Sequence, residues 1–236
     1  MGRGEKAARV VSLTVGLLFA VFTIGMLLVS GRYGRLPMAV LTPLLLAAPL
    51  IVERLFRCHV ALPVYLFTLF YAVGPMLGHC YNFYYHIPWW DKMLHVFGGV
   101  MFSLLGLFVF QKFVDPAGKK RVMAAVFALC LSMAVAVAWE FCEYGADRFL
   151  GMDMQDDTVV THITSYLLDG APGEAGTIEE ITAVTVNGKP LPVKGYIDIG
   201  LNDTMWDMLL ETLGTLAVVG WFVWDKGKHA PFRSVE

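Results

Sequence analysis

Six stretches of this chain are long and apolar enough to cross a lipid bilayer, and no other feature restricts its folding as much. A hydrocarbon core about 30 Å thick takes about 20 helical residues to cross. Residues 10–30, 36–52, 60–77, 93–110, 122–140 and 204–224 meet or approach that length. Backbone amides in lipid must be satisfied within the segment, and none of the six alternates apolar with polar residues, so each is read as a helix. The first follows Arg3, Lys6 and Arg9 as a signal peptide would. It is too long for a signal h-region and no small-x-small cleavage site follows, so it is expected to stay as an uncleaved helix. Hydrophobic residues make up 57% of the 236 residues and charged residues 16%, which excludes a disordered or coiled-coil chain. A net charge of -2 leaves no basic surface suited to nucleic acid. Four cysteines lack the density or spacing of a disulfide framework or zinc ribbon.

Basic residues orient the helices. With the N-terminus inside, 12 of the 18 Lys and Arg fall on the cytoplasmic side, among them Arg54, Arg57, Lys119, Lys120, Lys226 and Lys228. Arg32, Arg35, Lys92, Arg148, Lys189 and Lys194 fall outside. The positive-inside rule therefore predicts both termini in the cytoplasm, and Tyr84, Tyr85, Trp89 and Trp90 then form an aromatic belt at the outer interface. The expected architecture is an all-α integral membrane protein, a single polytopic domain over residues 1–236, with one sizeable external insertion at residues 151–200. Within that insertion Asn187-Gly188, flanked by Val184-Thr185-Val186 and Lys189-Pro190-Leu191, signals a β-hairpin. Some 50 residues bury too little surface to fold confidently alone, so a small lid is expected there.

Ionisable residues in or beside the spans cost roughly 2.5 to 3.5 kcal/mol at mid-membrane and so point to function. The fourth helix opens with Asp91 and His95, the fifth closes with Glu140, Glu143 and Asp147, and the sixth opens with Asp203, Asp207 and Glu211. At 100° per residue Asp91 and His95 lie about 40° apart, Glu140 and Asp147 about 20°, and Asp203, Asp207 and Glu211 within about 80°. Each helix carries one acidic stripe, and the expected topology turns all three toward the outer side. Seven carboxylates and an imidazole at one depth repel unless protons or cations intervene, and a divalent metal is the simplest remedy. Oxygen-rich ligands with one His favour Mg²⁺, Mn²⁺, Ca²⁺ or Fe²⁺ over Zn²⁺.

Ordinary roles compete for some of these residues. Asp91 and Asp203 suit helix N-termini as caps or dipole partners, and Lys92 and Arg148 suit salt bridges to two of the acids. Glu140 and Glu143 oppose the dipole of their helix. Gly98, Gly99, Gly106 and Gly214 are expected at close helix contacts.

The blocks Trp90-Asp91-Lys92-Met93-Leu94-His95 with Gly98, Trp139-Glu140-Phe141-Cys142-Glu143 through Asp147, Gly151 and Met154-Gln155, and Gly200-Leu201-Asn202-Asp203-Thr204-Met205-Trp206-Asp207 with Gly214 resemble the YjdF-like family of bacterial inner-membrane proteins, and more distantly the VanZ-like membrane proteins. The likeness covers about residues 88–220, and it departs where Gln155 and Gly200 are joined by a much longer link than the family has. It implies a polytopic membrane protein whose acidic and His positions form the site, and on this ground Gln155 joins that site.

The sequence therefore supports a metal-dependent membrane enzyme acting on a phosphate-containing lipid or lipid-linked envelope precursor. Asp91, His95, Glu140, Glu143, Asp203 and Asp207 are the expected ligands, with Asp147 or Glu211 as general base or in an outer shell. One rival reading is a proton- or cation-coupled transporter, against which stand the small size, the absence of an inverted repeat and the absence of acids in the inner half of any span; another is an accessory membrane protein, which explains the topology but not the acidic stripes.

Overall fold

The computed structural model describes residues 2–114, 118–168, 171–225 and 232–234. Lys226 and Lys228, counted above for orientation, lie outside them. Among the described residues seven helices run in order: α1 (Arg3–Val29), α2 (Leu36–Phe56), α3 (Leu62–Cys80), α4 (Phe83–His86), α5 (Trp90–Phe113), α6 (Lys120–Leu150) and α7 (Leu201–Trp224). A 3-10 turn at Tyr33–Arg35 precedes α2. The strands are β1 (Cys58–Val60), β2 (Thr158–Val160), β3 (Ile163–Ser165), β4 (Gly176–Ile178), β5 (Thr185–Val186), β6 (Lys189–Pro190), β7 (Tyr196–Asp198) and β8 (Phe232–Ser234). All the helices except α4 are long and apolar enough to span a membrane, and they coincide with the six expected runs. Their outward faces carry large apolar side chains, such as Leu18, Phe22, Leu44, Phe70, Phe141 and Leu213, as a lipid solvent requires.

The chain gathers into two compact units, residues 1–136 with 210–236, and residues 137–209. In the first, α1, α2 and α3 close around two apolar clusters. One contains Ala20, Leu27, Ala39, Met76 and Cys80, the other Leu46, Val60, Tyr65, Leu69 and Ala72. Leu107, Ala124, Ala128, Val219 and Phe222 form a third, joining α5 to the adjoining parts of α6 and α7. A Cβ on Gly106 would lie 2.7 Å from the Ala128 Cα, so the small residue sets how closely α5 and α6 approach.

A polar knot fastens the α2–α3 end of this unit. The buried Arg9 donates to Glu53 at 2.5 Å, faces His59 Nδ1 at 2.9 Å and lies 4.1 Å from the Tyr65 ring centroid. His59 Nε2 stands 2.8 Å from Glu5, and Glu53 also accepts from the Val60 N–H at 2.8 Å. β1 pairs antiparallel with β8, tying the chain's last described residues to this same end.

In the second unit the insertion is built from three short antiparallel pairs, β2–β7, β3–β4 and β5–β6. The hairpin read from Asn187-Gly188 is β5–β6, with both turn residues at positive φ, 51° and 78°, as a tight two-residue turn with right-handed strand twist demands. The other two pairs had no sequence signal, since strands of three residues are too short to show an alternation.

Candidate functional site

The three acidic stripes are the buried faces of their helices. On α7, Asp203, Asp207, Glu211 and Thr215 are buried while Met205, Trp206, Leu209, Leu213 and Leu216 are exposed. On α6, Ser132, Ala136, Glu140 and Glu143 are buried while Phe141 and Tyr144 face outward. Cys142, beside the acids in sequence, is exposed. Charged groups thus occupy the sheltered face of each span and apolar groups the lipid face.

In the first unit the stripes of α5 and α7 meet at an imidazole. His95, 7% exposed, has Nε2 3.6 Å from Asp91 Oδ1 and Nδ1 3.9 Å from Glu211 Oε2, so a carboxylate stands off each ring nitrogen. The other oxygen of Asp91 pairs with Lys92 Nζ at 3.1 Å, which fulfils the salt-bridge expectation for Lys92. Arg148 pairs with no carboxylate among the described residues. Glu211 is 4% exposed, and its Oε1 is buried with no hydrogen-bond partner among the described residues.

Glycines make this encounter possible. A Cβ on Gly99 would sit 2.0 Å from the Glu211 carbonyl oxygen, and one on Gly214 2.2 Å from the Val96 carbonyl oxygen. A Cβ on Gly98 would come within 2.9 Å of the Tyr71 hydroxyl and 3.5 Å of the Glu211 carboxylate. Here α5 and α7 touch backbone to backbone, and the Glu211 carboxylate lies against the helix that carries His95. One turn further along, Thr215 donates to the Gly99 carbonyl at 3.2 Å and shares a 2.8 Å hydrogen bond with Ser132. Sequence reading missed this small network, and Tyr71 with it, because Ser, Thr and Tyr in an apolar run give no charge signal.

In the second unit, Asp147 accepts from the backbone N–H groups of Met154 at 2.6 Å and Gln155 at 2.9 Å. The Gln155 amide donates to Thr204, and Asp203 accepts the Asp156 N–H at 2.9 Å. Asp147, Gln155 and Asp203 thereby stitch the chain leaving α6 to the start of α7. Gly200, at φ 85°, fits against this stitch, since a Cβ there would meet Gln155 at 2.6 Å. Glu143 accepts from the Trp139 indole at 2.8 Å. Asp153, in the loop after α6, was overlooked in the sequence. Burial, then the charges of Asp157, Asp147 and Asp203, raise its pKa above the ordinary carboxylate value.

No curated protein and no solved structure matches the chain. A family model described as "Predicted membrane protein (DUF2238)" matches residues 11–227, nearly the whole of this six-helix chain, which therefore belongs to that family of membrane proteins.

Proposed function

We propose that this protein is a metal-dependent membrane enzyme acting on a phosphate-containing lipid or lipid-linked envelope precursor, and that Asp91, His95 and Asp207, acid and imidazole positions read from the sequence, are among its ligands. Glu140, Glu143 and Asp203 supply further carboxylates, and the YjdF-like resemblance of these blocks extends the reading to bacterial inner-membrane relatives. One observation carries it. His95 stands between the carboxylates of Asp91 and Glu211, and the buried Glu211 keeps an oxygen that no donor among the described residues satisfies. Burying a carboxylate without compensation is costly, so that oxygen calls for a proton, a cation or a substrate donor. The donor set is oxygen-rich with one imidazole, which suits Mg²⁺, Mn²⁺, Ca²⁺ or Fe²⁺. Such an ion supplies charge stabilisation at a phosphate ester.

The chain's own residues divide the work. Glu211 stands off Nδ1 of His95 and Lys92 off the second oxygen of Asp91, where partners beyond the ligands of metal sites orient the ligating groups. Glu211 is the general base, its free oxygen available to take a proton from the attacking group. Both oxygens of Asp147 serve backbone N–H groups, so it holds the loop and orients Gln155 rather than the reacting atoms.

Metal analysis of detergent-purified protein by mass spectrometry tests this. Stoichiometric metal in the wild type, lowered in His95→Ala and Asp207→Asn and unchanged in Glu174→Gln, is the expected result. Glu211→Gln should keep most of the metal and lose phosphate release from phosphatidic acid micelles. Absence of metal from the wild type would refute the enzyme. The same buried Glu211, protonated in turn, would then favour proton-coupled transport.

A further inference from the structure

At the end of the first unit where α3 stops and α5 begins lies a depression of about 490 Å³ lined by Arg32, Gly34, Arg35 and Asn82. Its volume falls in the roughly 300 to 1,000 Å³ range of small-molecule sites. Neither arginine pairs with a carboxylate among the described residues, so the pocket holds uncompensated positive charge. Arg35 is held in place: its Nη1 donates to the Cys80 carbonyl at 3.3 Å, while the Cys80 thiol lies 3.6 Å from the Arg35 carbonyl. His79 faces the Gly34 backbone and the Arg35 charge. The Arg32 and Asn82 side chains make no hydrogen bond to another described residue. Asn82 adopts the left-handed conformation, φ 62°, where the chain turns from α3 into α4.

The surroundings fix the depth. α1 ends at Val29, α2 begins at Leu36 and α3 ends at Cys80, so the pocket sits where the spans emerge. Tyr33, Tyr85 and Trp89 are exposed at this end, as aromatic side chains are at a membrane–water boundary. The α5 N-terminus that bears Asp91 packs here too, with the Trp90 indole donating to the Gly74 carbonyl at 3.1 Å.

We infer that the Arg32–Arg35–Asn82 pocket binds a phosphate group at the membrane interface. Two guanidinium forks and a side-chain amide are the donor set that planar, bidentate recognition of phosphate uses. The bound phosphate belongs to an anionic glycerophospholipid headgroup or to a soluble phosphate. This inference stands apart from the metal reading, because none of its residues belongs to the proposed metal site.

The test is calorimetric titration of the full chain in neutral detergent, once with short-chain phosphatidylglycerol and once with inorganic phosphate. Binding of the lipid alone assigns the headgroup, and binding of inorganic phosphate assigns the free anion. In either case Arg32→Gln and Arg35→Gln should each weaken binding about tenfold, the loss of one charge-assisted contact. Arg35→Lys should restore little, since an ammonium cannot present the fork. Arg54→Gln, at an exposed site elsewhere in the unit, should change nothing. Arg32 is exposed and holds no tertiary hydrogen bond, so its variant tests the pocket even if Arg35→Gln fails to fold. Absence of binding by both probes, or equal weakening in Arg54→Gln, would overturn the proposal. Bound metal measured in the same samples should be unchanged by Arg32→Gln, which keeps this outcome separate from the metal reading.

Discussion

Adding one methyl group at Gly99 should separate α5 from α7. The new Cβ would lie 2.0 Å from the Glu211 carbonyl oxygen, 2.9 Å from the Glu211 carbonyl carbon and 2.9 Å from the Thr215 nitrogen. All three are backbone atoms, so no rotamer change relieves the clash, and the helices must part by about 1 Å to bring even the oxygen to 3.0 Å. Overpacking of this kind costs about 1–3 kcal/mol, against which the better helix propensity of Ala returns up to about 1 kcal/mol. With the full return, Gly99→Ala is therefore expected to lose up to about 2 kcal/mol net. Gly25→Ala has no atom within 4 Å of the added methyl and should instead gain up to about 1 kcal/mol. Reversible unfolding in mixed micelles reads both signs in one experiment. Phosphate release should fall with Gly99→Ala and hold with Gly25→Ala, because moving the Glu211 backbone displaces the proposed general base from His95. A Gly99→Ala protein with wild-type stability and wild-type phosphate release would refute the argument from close approach.

Asp153 gives a pH prediction. Its folded-state pKa is raised above the unfolded value, so its favourable contribution is fully present below the unfolded carboxylate pKa and is lost as pH rises through the folded one. Asp153→Asn should therefore slow hydrogen exchange in the loop after α6 at neutral pH and make no difference in strong acid; an equal effect at both would remove the electrostatic cause. Asp147→Ala deletes the acceptor of two backbone N–H groups and should speed exchange at Met154 and Gln155 while leaving Asp91 and His95 able to bind metal. A cysteine placed at Asn187 should react with an impermeant maleimide in intact cells, as the distribution of basic residues requires; reaction only after lysis would invert the orientation.

Much of this architecture is legible in the sequence because membrane physics is severe. Apolar length marks each span, with the ends shifted by a few residues where polar side chains such as Lys120 and Arg148 extend a helix past the lipid. The acidic stripes follow from helical period alone, and the same period puts Asp91 on the His95 face. What periodicity cannot supply is the rotation and distance of one helix against another. Glu211 lies two turns from Asp203 along α7 and looked remote from the ligands, yet it reaches His95 because Gly98, Gly99 and Gly214 let the backbones touch. The Arg32–Arg35 pocket was invisible for the same reason: Asn82 completes its lining and the Cys80 carbonyl holds Arg35 from parts of the chain far away in sequence.

The buried Arg9 bears on how the chain is made. Its partner Glu53 comes 44 residues later, and at 5–20 residues per second the ribosome takes about 2–9 s to deliver it. During that interval the first helix carries a cation whose native partners do not yet exist, so the long side chain must snorkel to the lipid–water boundary and hold the helix at that depth. Once α2 and the His59 turn arrive, Glu53 and Tyr65 capture the guanidinium and the helix can settle. The native pairing of Arg9 therefore follows the synthesis of α2, which makes the closing of this knot a later step than the formation of α1.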